Sequence, residues 1–221
     1  MDMMNFITAL GAVILINIVL SGDNAVVIAL ASRNLPDKQR KKAIIFGSAL
    51  AVVLRISLVV VATLLMRIPF LQAVGGLALI YIGYHLLAQN DDGEVKVEGN
   101  DNMMKAIKTI VLADLIMSLD NVLAIAAVAK GNWVVLIIGL AISIPLVVFG
   151  ASILSKLMNR FPIIVYIGAA LIAYTAAEMI VSDVKLTHYL EPYAIIIKIV
   201  VTVGVVGLGF ITKRRLSKKE G

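Results

Sequence analysis

Seven long apolar stretches constrain the fold of this chain more than any other feature. A helix needs about 20 predominantly apolar residues to cross a bilayer, and each stretch is about that long or longer. Together with a hydrophobic content of 61%, they predict an all-α membrane protein with seven transmembrane helices. The stretches cover residues 4–32, 43–66, 68–88, 106–129, 132–155, 162–182 and 193–211.

The placement of positive charge predicts the orientation. With the N-terminus outside and the C-terminus cytoplasmic, fifteen lysines and arginines lie on the cytoplasmic side and three lie outside. This is the bias expected of membrane proteins. The net charge of +6 is therefore interpreted as topology anchors that contact anionic lipid. The lipid bilayer is the expected partner and nucleic acid is not; the oligomeric state is left open.

Two near-identical tetrapeptides indicate an internal duplication. Ser21–Asn24 (Ser-Gly-Asp-Asn) lies in the first apolar stretch, and Ser118–Asn121 (Ser-Leu-Asp-Asn) lies 97 positions later in the fourth. At the same offset Asn17 matches Asp114. If each half contributes three spans, an odd number, the second half enters the bilayer from the opposite side. Such inverted repeats are typical of transporters, whose ligand sites lie near the midplane between the repeats.

These patterns predict a single transmembrane domain over residues 1–221. Its parts are a first three-helix repeat (1–89), a polar cytoplasmic linker (90–102), a second, inverted repeat (103–185), a seventh helix (190–212) and a basic tail (213–221).

The first stretch is too long for one straight span. Its residues would reach about 43 Å as a continuous helix, whereas the hydrocarbon core is about 30 Å thick. Gly22 is the predicted point of unwinding. Carbonyls freed beside Asp23 at membrane depth would have to meet protein, water or an ion.

Acidic side chains outnumber basic ones within the predicted spans. Asp23, Asp114, Asp120 and Glu178 stand against one deep cation, Arg55. Each buried charge costs about 3 kcal/mol at the centre of a span. Arg55 can neutralise one carboxylate, so the surplus predicts a bound cation, or else protons or water on the other acids.

Asp114 and Asp120 are six positions apart, which places them on different faces of an unbroken helix. Two alternatives follow. Either the helix breaks near Ser118, or Asp114 pairs with Arg55 while Asp120 binds the ligand.

The polar groups near the two tetrapeptides are oxygen donors, which suit magnesium, calcium and manganese better than zinc or copper. Met117 lies close enough to Asp120 to share its helix face and would favour a softer ion, although simple packing also accounts for it. Glu178, Arg55 and His85 are candidates for gating or coupling. The candidate metal ligands are Asp23, Asp120, Asn24, Asn121, Asn17, Asp114 and Ser118.

No enzyme is predicted, and no prosthetic group. The sequence has no cysteine, no Gly-x-Ser-x-Gly turn, no phosphate-binding glycine loop and no His-Glu-x-x-His motif.

Four segments carry a resemblance to a known family: Leu20–Ala25, Arg33–Pro36, Asp114–Asn121 and Glu178–Ile180. They resemble the TerC family, in its short YjbE-type branch within the LysE-like exporter grouping. The resemblance implies a bacterial cytoplasmic-membrane protein that exports manganese, with Mn²⁺ as the transported ion and acidic residues along the path. Asp23, Asp114 and Asp120 match those acidic positions. A glutamate that longer members carry is Val111 here, so its ligand role is absent.

Three functions stay open at this point. The chain is either an exporter of divalent cations that works by alternating access, with possible proton antiport, or an exporter of amino acids or small organic cations. The third alternative is a membrane partner that transports nothing and delivers metal to secreted proteins.

Overall fold

The computed structural model describes residues 3–65, 68–88, 101–129 and 132–217. Within these ranges all regular structure is helical, which confirms the all-α prediction. The linker at 90–102 lies mainly outside the described residues. The helices are α1 (Met3–Leu20), α2 (Gly22–Ser32), α3 (Asp37–Leu65), α4 (Leu71–Ala88), α5 (Asp101–Val128), α6 (Trp133–Arg160), α7 (Ile163–Val181), the short α8 (Thr187–Leu190), a 3₁₀ turn (Glu191–Tyr193) and α9 (Ala194–Ser217).

Six segments of the described chain are long and apolar enough to cross a membrane. They are α1, most of α3 (Asp37–Val61), α4, α6, α7 and the segment Thr187–Arg215, which comprises α8, the 3₁₀ turn and most of α9. The 28-residue α5 is not among the six, so a seventh span, like the orientation of the termini, stays a prediction.

The predicted break in the first span is confirmed. Ser21 has φ −101° and ψ 7° and separates α1 from α2, which begins at Gly22. The backbone N–H of Asn24, which would donate to the Leu20 carbonyl in a continuous helix, instead donates to Oδ1 of Asp23 at 2.9 Å. In contrast, α5 continues through Ser118 without interruption. The two tetrapeptides therefore have different backbone conformations.

The helix contacts stay the same when each helix is replaced by its equivalent in the other half of the chain. α3 packs on α5, just as α6 packs on the broken pair α1 and α2. α4 contacts α5, α7 contacts α2, and α4 packs on α7. Gly75 of α4 lies against α5, where its Cβ would be 3.1 Å from Ile116, and Gly168 of α7 lies against α2, where its Cβ would be 2.9 Å from Val26. This pattern fits a duplicated chain, with α9 added against α4 and α7.

The start of α4 is held by a carboxylate from the other half. Asp183 is 1% exposed and follows α7 in the chain. Its Oδ1 accepts hydrogen bonds from the backbone of Phe70 at 3.3 Å and of Lys185 at 2.9 Å, and its Oδ2 accepts from Ala73 at 3.3 Å. Phe70 has φ 63°, a conformation that is unfavourable for residues other than glycine. Asp183 therefore stabilises the helix start and ties α7 to α4.

Asp183→Ala should lower the free energy of unfolding by about 2–3 kcal/mol, because three backbone donors in a buried site lose their acceptor. The measurement is the unfolding of detergent-solubilised protein. Asp37→Ala is the matched control: its side chain is 82% exposed in an ion pair with Arg40, which is worth less than about 1 kcal/mol. Equal effects of the two substitutions would show that Asp183 does not anchor α4.

Candidate cation-binding site

A buried guanidinium group lies at the centre of the candidate site. Arg55 of α3 is 3% exposed. Its Nη2 donates to Oδ1 of Asp114 at 2.6 Å and its Nε donates to Oγ of Ser118 at 2.9 Å, both on α5. Its Nη1 donates to Oδ1 of Asn17 at 2.7 Å and to Oγ of Ser21 at 3.1 Å, at the end of α1. Arg55 therefore joins three spans through charge-assisted hydrogen bonds.

The four partners of Arg55 are two sequence-matched pairs. Asn17 and Asp114 are 97 positions apart, and so are Ser21 and Ser118. One positive charge is therefore held where equivalent positions of the two halves face each other. The two alternatives for the fourth span were a helix break near Ser118 and a pairing of Asp114 with Arg55. The structure has the second: α5 is unbroken, and Asp114 pairs with Arg55.

Further hydrogen bonds fix the partners of Arg55. Ser118 donates from Oγ to Oδ2 of Asp114 at 3.2 Å. Asn17 donates from Nδ2 to Oγ of Ser143 on α6 at 2.5 Å, and Ser143 lies 2.8 Å from the Leu140 carbonyl that accepts from it. The sequence patterns did not indicate Ser143, because nothing in its spacing relates it to the tetrapeptides.

A small cavity adjoins this network. Its volume is about 20 Å³, room for about one water molecule. Ser48 lies on its wall, is 3% exposed, and has no hydrogen-bond partner for Oγ among the described residues. Arg55, Asp114 and Ser143 line the same cavity.

Asp23 lies at the break, in the first turn of α2, where the helix dipole favours a negative charge. It is half-buried and interacts electrostatically with Arg55 and with Asp114. Within the described chain, no lysine or arginine forms an ion pair with Asp23. Asp23 is thus the described acid of the site whose carboxylate has no direct ion pair among the described residues.

The asparagines that follow the two aspartates differ in their contacts. Asn121 donates from Nδ2 to the Leu20 carbonyl at 3.1 Å, and so caps the end of α1. Asn24 is 1% exposed, and neither of its amide atoms has a hydrogen-bond partner in the part of the chain that the structure describes. Asp120 belongs to α5, but its side chain lies outside the described residues.

Glu178 is away from the Arg55 cluster and forms an ion pair with Lys198 of α9. The Lys198 ammonium also lies 5.4 Å from the centre of the Tyr174 ring. Arg55 is therefore not the one cation within the predicted spans: Lys198 interrupts the seventh apolar stretch and was missed in the prediction. His85 is exposed at the end of α4 and stacks on Tyr81 with ring centres 6.0 Å apart.

The described side chains do not form a complete metal site. Among them, no three histidine, cysteine, aspartate or glutamate side chains converge, and Asp114 and Glu178 are each paired with a basic side chain. The site in this state holds a protein cation, with the Asp23 carboxylate beside it.

Comparisons with known proteins cover nearly the whole chain. Residues 3–220 match the model of the integral membrane protein TerC family. The uncharacterized membrane protein YjbE of Bacillus subtilis is 44% identical over 189 residues, which cover 86% of each chain. The uncharacterized membrane protein YceF of the same organism is 26% identical over 222 residues, covering 96% of this chain and 85% of YceF. The UPF0053 protein YegH of Escherichia coli is 29% identical over 171 residues, covering 69% of this chain and 32% of YegH. No solved structure matches the chain.

Arg55→Met and Asp114→Leu should each lower the free energy of unfolding by about 3–5 kcal/mol, because each leaves one buried charge without its partner. The double variant should be more stable than either single variant, since it removes both charges together. Chemical unfolding in detergent measures all three. Additive losses in the double variant would contradict a direct pairing of the two charges.

Proposed function

The chain belongs to the TerC family of integral membrane proteins, and from that premise we propose that it exports divalent metal cations, preferentially Mn²⁺, from the cytoplasm. The observation that carries the proposal is the guanidinium of Arg55, bound by matched residues of both halves. A position that holds a cation at the meeting point of two repeats is where an inverted-repeat transporter binds its ligand.

The charges within the spans support a divalent ion. Asp114 is neutralised by Arg55 and Glu178 by Lys198, whereas Asp23 forms no such pair in the described chain. Asp120, in the matching tetrapeptide, is the remaining acid in the spans. In the proposal, the carboxylates of Asp23 and Asp120 are together balanced by one ion of charge +2.

The donor types support a hard ion with oxygen ligands. In the proposal, Asp23 and Asp120 bind the ion through their carboxylates. The amide oxygen of Asn24, which has no hydrogen-bond partner among the described residues, completes the ligand set together with Asn121. Such a ligand set suits Mn²⁺, Mg²⁺ or Ca²⁺. The preference for Mn²⁺ rests on the family resemblance.

Arg55 acts in this mechanism as a tethered substitute for the ion. When the ion is absent, the guanidinium satisfies Asn17, Asp114 and Ser118, as in the present structure. When the ion binds, Arg55 yields part of this shell, and these three residues become available as further ligands. The guanidinium replaces part of the positive charge that leaves with the ion, which lowers the cost of emptying the site inside a membrane.

Export then proceeds by alternating access of the two inverted halves. A proton that binds to Asp23 or Asp120 after the ion leaves would couple export to proton uptake. Glu178 and His85 lie near the C-terminal ends of α7 and α4, which the inverted topology of the proposal places on opposite sides of the membrane. They are proposed as gating or coupling groups. In a bacterium, the location is the cytoplasmic membrane.

Asp23→Asn and Asp120→Asn should each reduce Mn²⁺ flux into or out of proteoliposomes at least tenfold, because one of two ion-binding carboxylates is lost while side-chain volume is kept. Asp37→Asn, at an exposed helix start, is the control and should retain full flux. A manganese-sensitive strain that lacks its own exporter gives the same comparison as growth in high Mn²⁺.

Normal flux by both aspartate variants, at normal expression, would contradict the proposal. Flux of a basic amino acid that is independent of metal would favour the organic-cation exporter. Absence of any flux, together with a stoichiometric secreted or secretory partner in the purified protein, would favour the metal-delivery function.

A further inference from the structure

Two equivalent asparagines have opposite surroundings. Asn121 caps the carbonyl of Leu20 at 3.1 Å. Asn24, 97 positions earlier, is fully buried, and its amide has no partner among the described residues. A buried amide without hydrogen bonds is unfavourable and requires an explanation. The difference between the two is therefore a property of this conformation that the matching sequence does not dictate.

The helix break explains what Asn121 does. A helix that ends inside the membrane leaves carbonyls without donors. At this break the Asn24 N–H has turned to the Asp23 carboxylate, so the Leu20 carbonyl has lost its helical donor. Asn121 replaces that donor from the other half of the molecule.

In the fourth predicted span, the helix is unbroken at the position that corresponds to the break in the first. Met117 corresponds to Leu20 at the 97-residue offset, and α5 is continuous there, so the Met117 carbonyl accepts from the N–H four residues later. A break at Ser118 would release that carbonyl. The residue that corresponds to its cap is Asn24, which is buried close in sequence to the present break at Ser21 and whose amide has no hydrogen-bond partner among the described residues.

We propose that Asn24 and Asn121 are alternate caps for a helix break that moves between the first and the fourth spans. In the present state the break lies at Ser21 and Asn121 caps it; in the opposite state α1 and α2 join, α5 breaks at Ser118, and Asn24 caps Met117. The two asparagines are positioning residues for transport. The inference rests on the proposed function, because a transporter of inverted repeats requires two such states.

Sequence and contacts favour the present state without forbidding the other. The first tetrapeptide has Gly22 where the second has Leu119, and glycine is among the poorest helix formers. Arg55 is held by matched residues of both halves. Its hydrogen bonds therefore do not by themselves favour a break at Ser21 over a break at Ser118. Close packing does not require glycine at position 22, since no atom outside the local helix backbone lies within 4 Å of an added Cβ.

Hydrogen–deuterium exchange of the full chain in lipid nanodiscs tests the proposal. Asn121→Ala removes the cap of the present break, so exchange at residues 117–121 should rise about fivefold to tenfold, the effect of one hydrogen bond, and exchange at 20–24 should fall. Asn24→Ala removes the cap of the opposite break, so exchange at 117–121 should fall by a similar factor. Changes of the same sign in both variants would overturn the proposal.

Leu119→Gly gives a sharper version, because it makes the second tetrapeptide identical to the first. It should raise exchange at 117–121 severalfold more than the control Leu119→Ala. Adding Asn24→Ala should abolish most of that rise, whereas adding Asn121→Ala should not. A rise that persists without Asn24 would overturn the proposal, even if an individual variant folds poorly, since the comparison is made within the glycine background.

Mn²⁺ flux of the wild-type protein in the same lipids separates this inference from the proposed function. Reciprocal exchange without flux would overturn the proposed export of Mn²⁺ and leave the exchange of caps standing. Normal flux with exchange that does not depend on Asn24 would overturn the exchange of caps alone.

Discussion

The buried guanidinium of Arg55 brings together groups from both halves of the chain. A charged group in such a position needs hydrogen-bond acceptors around it. Asp114 and Ser118 provide them from α5, and Asn17 and Ser21 provide them from the end of α1. The Ser21 hydroxyl can approach because the first span is interrupted there. Helix break, ion pair and contact between halves are thus parts of one arrangement.

Much of the fold is readable from the sequence because it depends on local properties. Stretch length and apolar content give the helices, and excess length with Gly22 gives the break. The Asp114–Arg55 pair emerges as one of two alternatives, because charge balance limits the partners of a deep carboxylate. Contacts between helices distant in sequence are not readable, since they depend on the register and angle of packing. For this reason the Asp183 cap of α4 and the Lys198–Glu178 pair were not predicted, and Ser143 was not recognised as part of the site.

Matching sequence motifs in the two halves have different backbone conformations. Matched residues surround Arg55 from both sides, yet the backbone is interrupted at Ser21 and continuous at Ser118. The seventh long helix, α9, contacts α4 and α7 and has no counterpart in the duplication. This conformation is therefore asymmetric although the sequence motifs match. The amide of Asn24, which has no hydrogen-bond partner among the described residues, marks that asymmetry locally.

The cavity beside Arg55 has room for about one water molecule. Its small size bears on whether protons can pass this site. Protons cross membranes along unbroken files of water, and a single molecule enclosed by packed side chains forms no such file. In this conformation, a water molecule beside Arg55 would therefore give protons no continuous path at that level among the described residues.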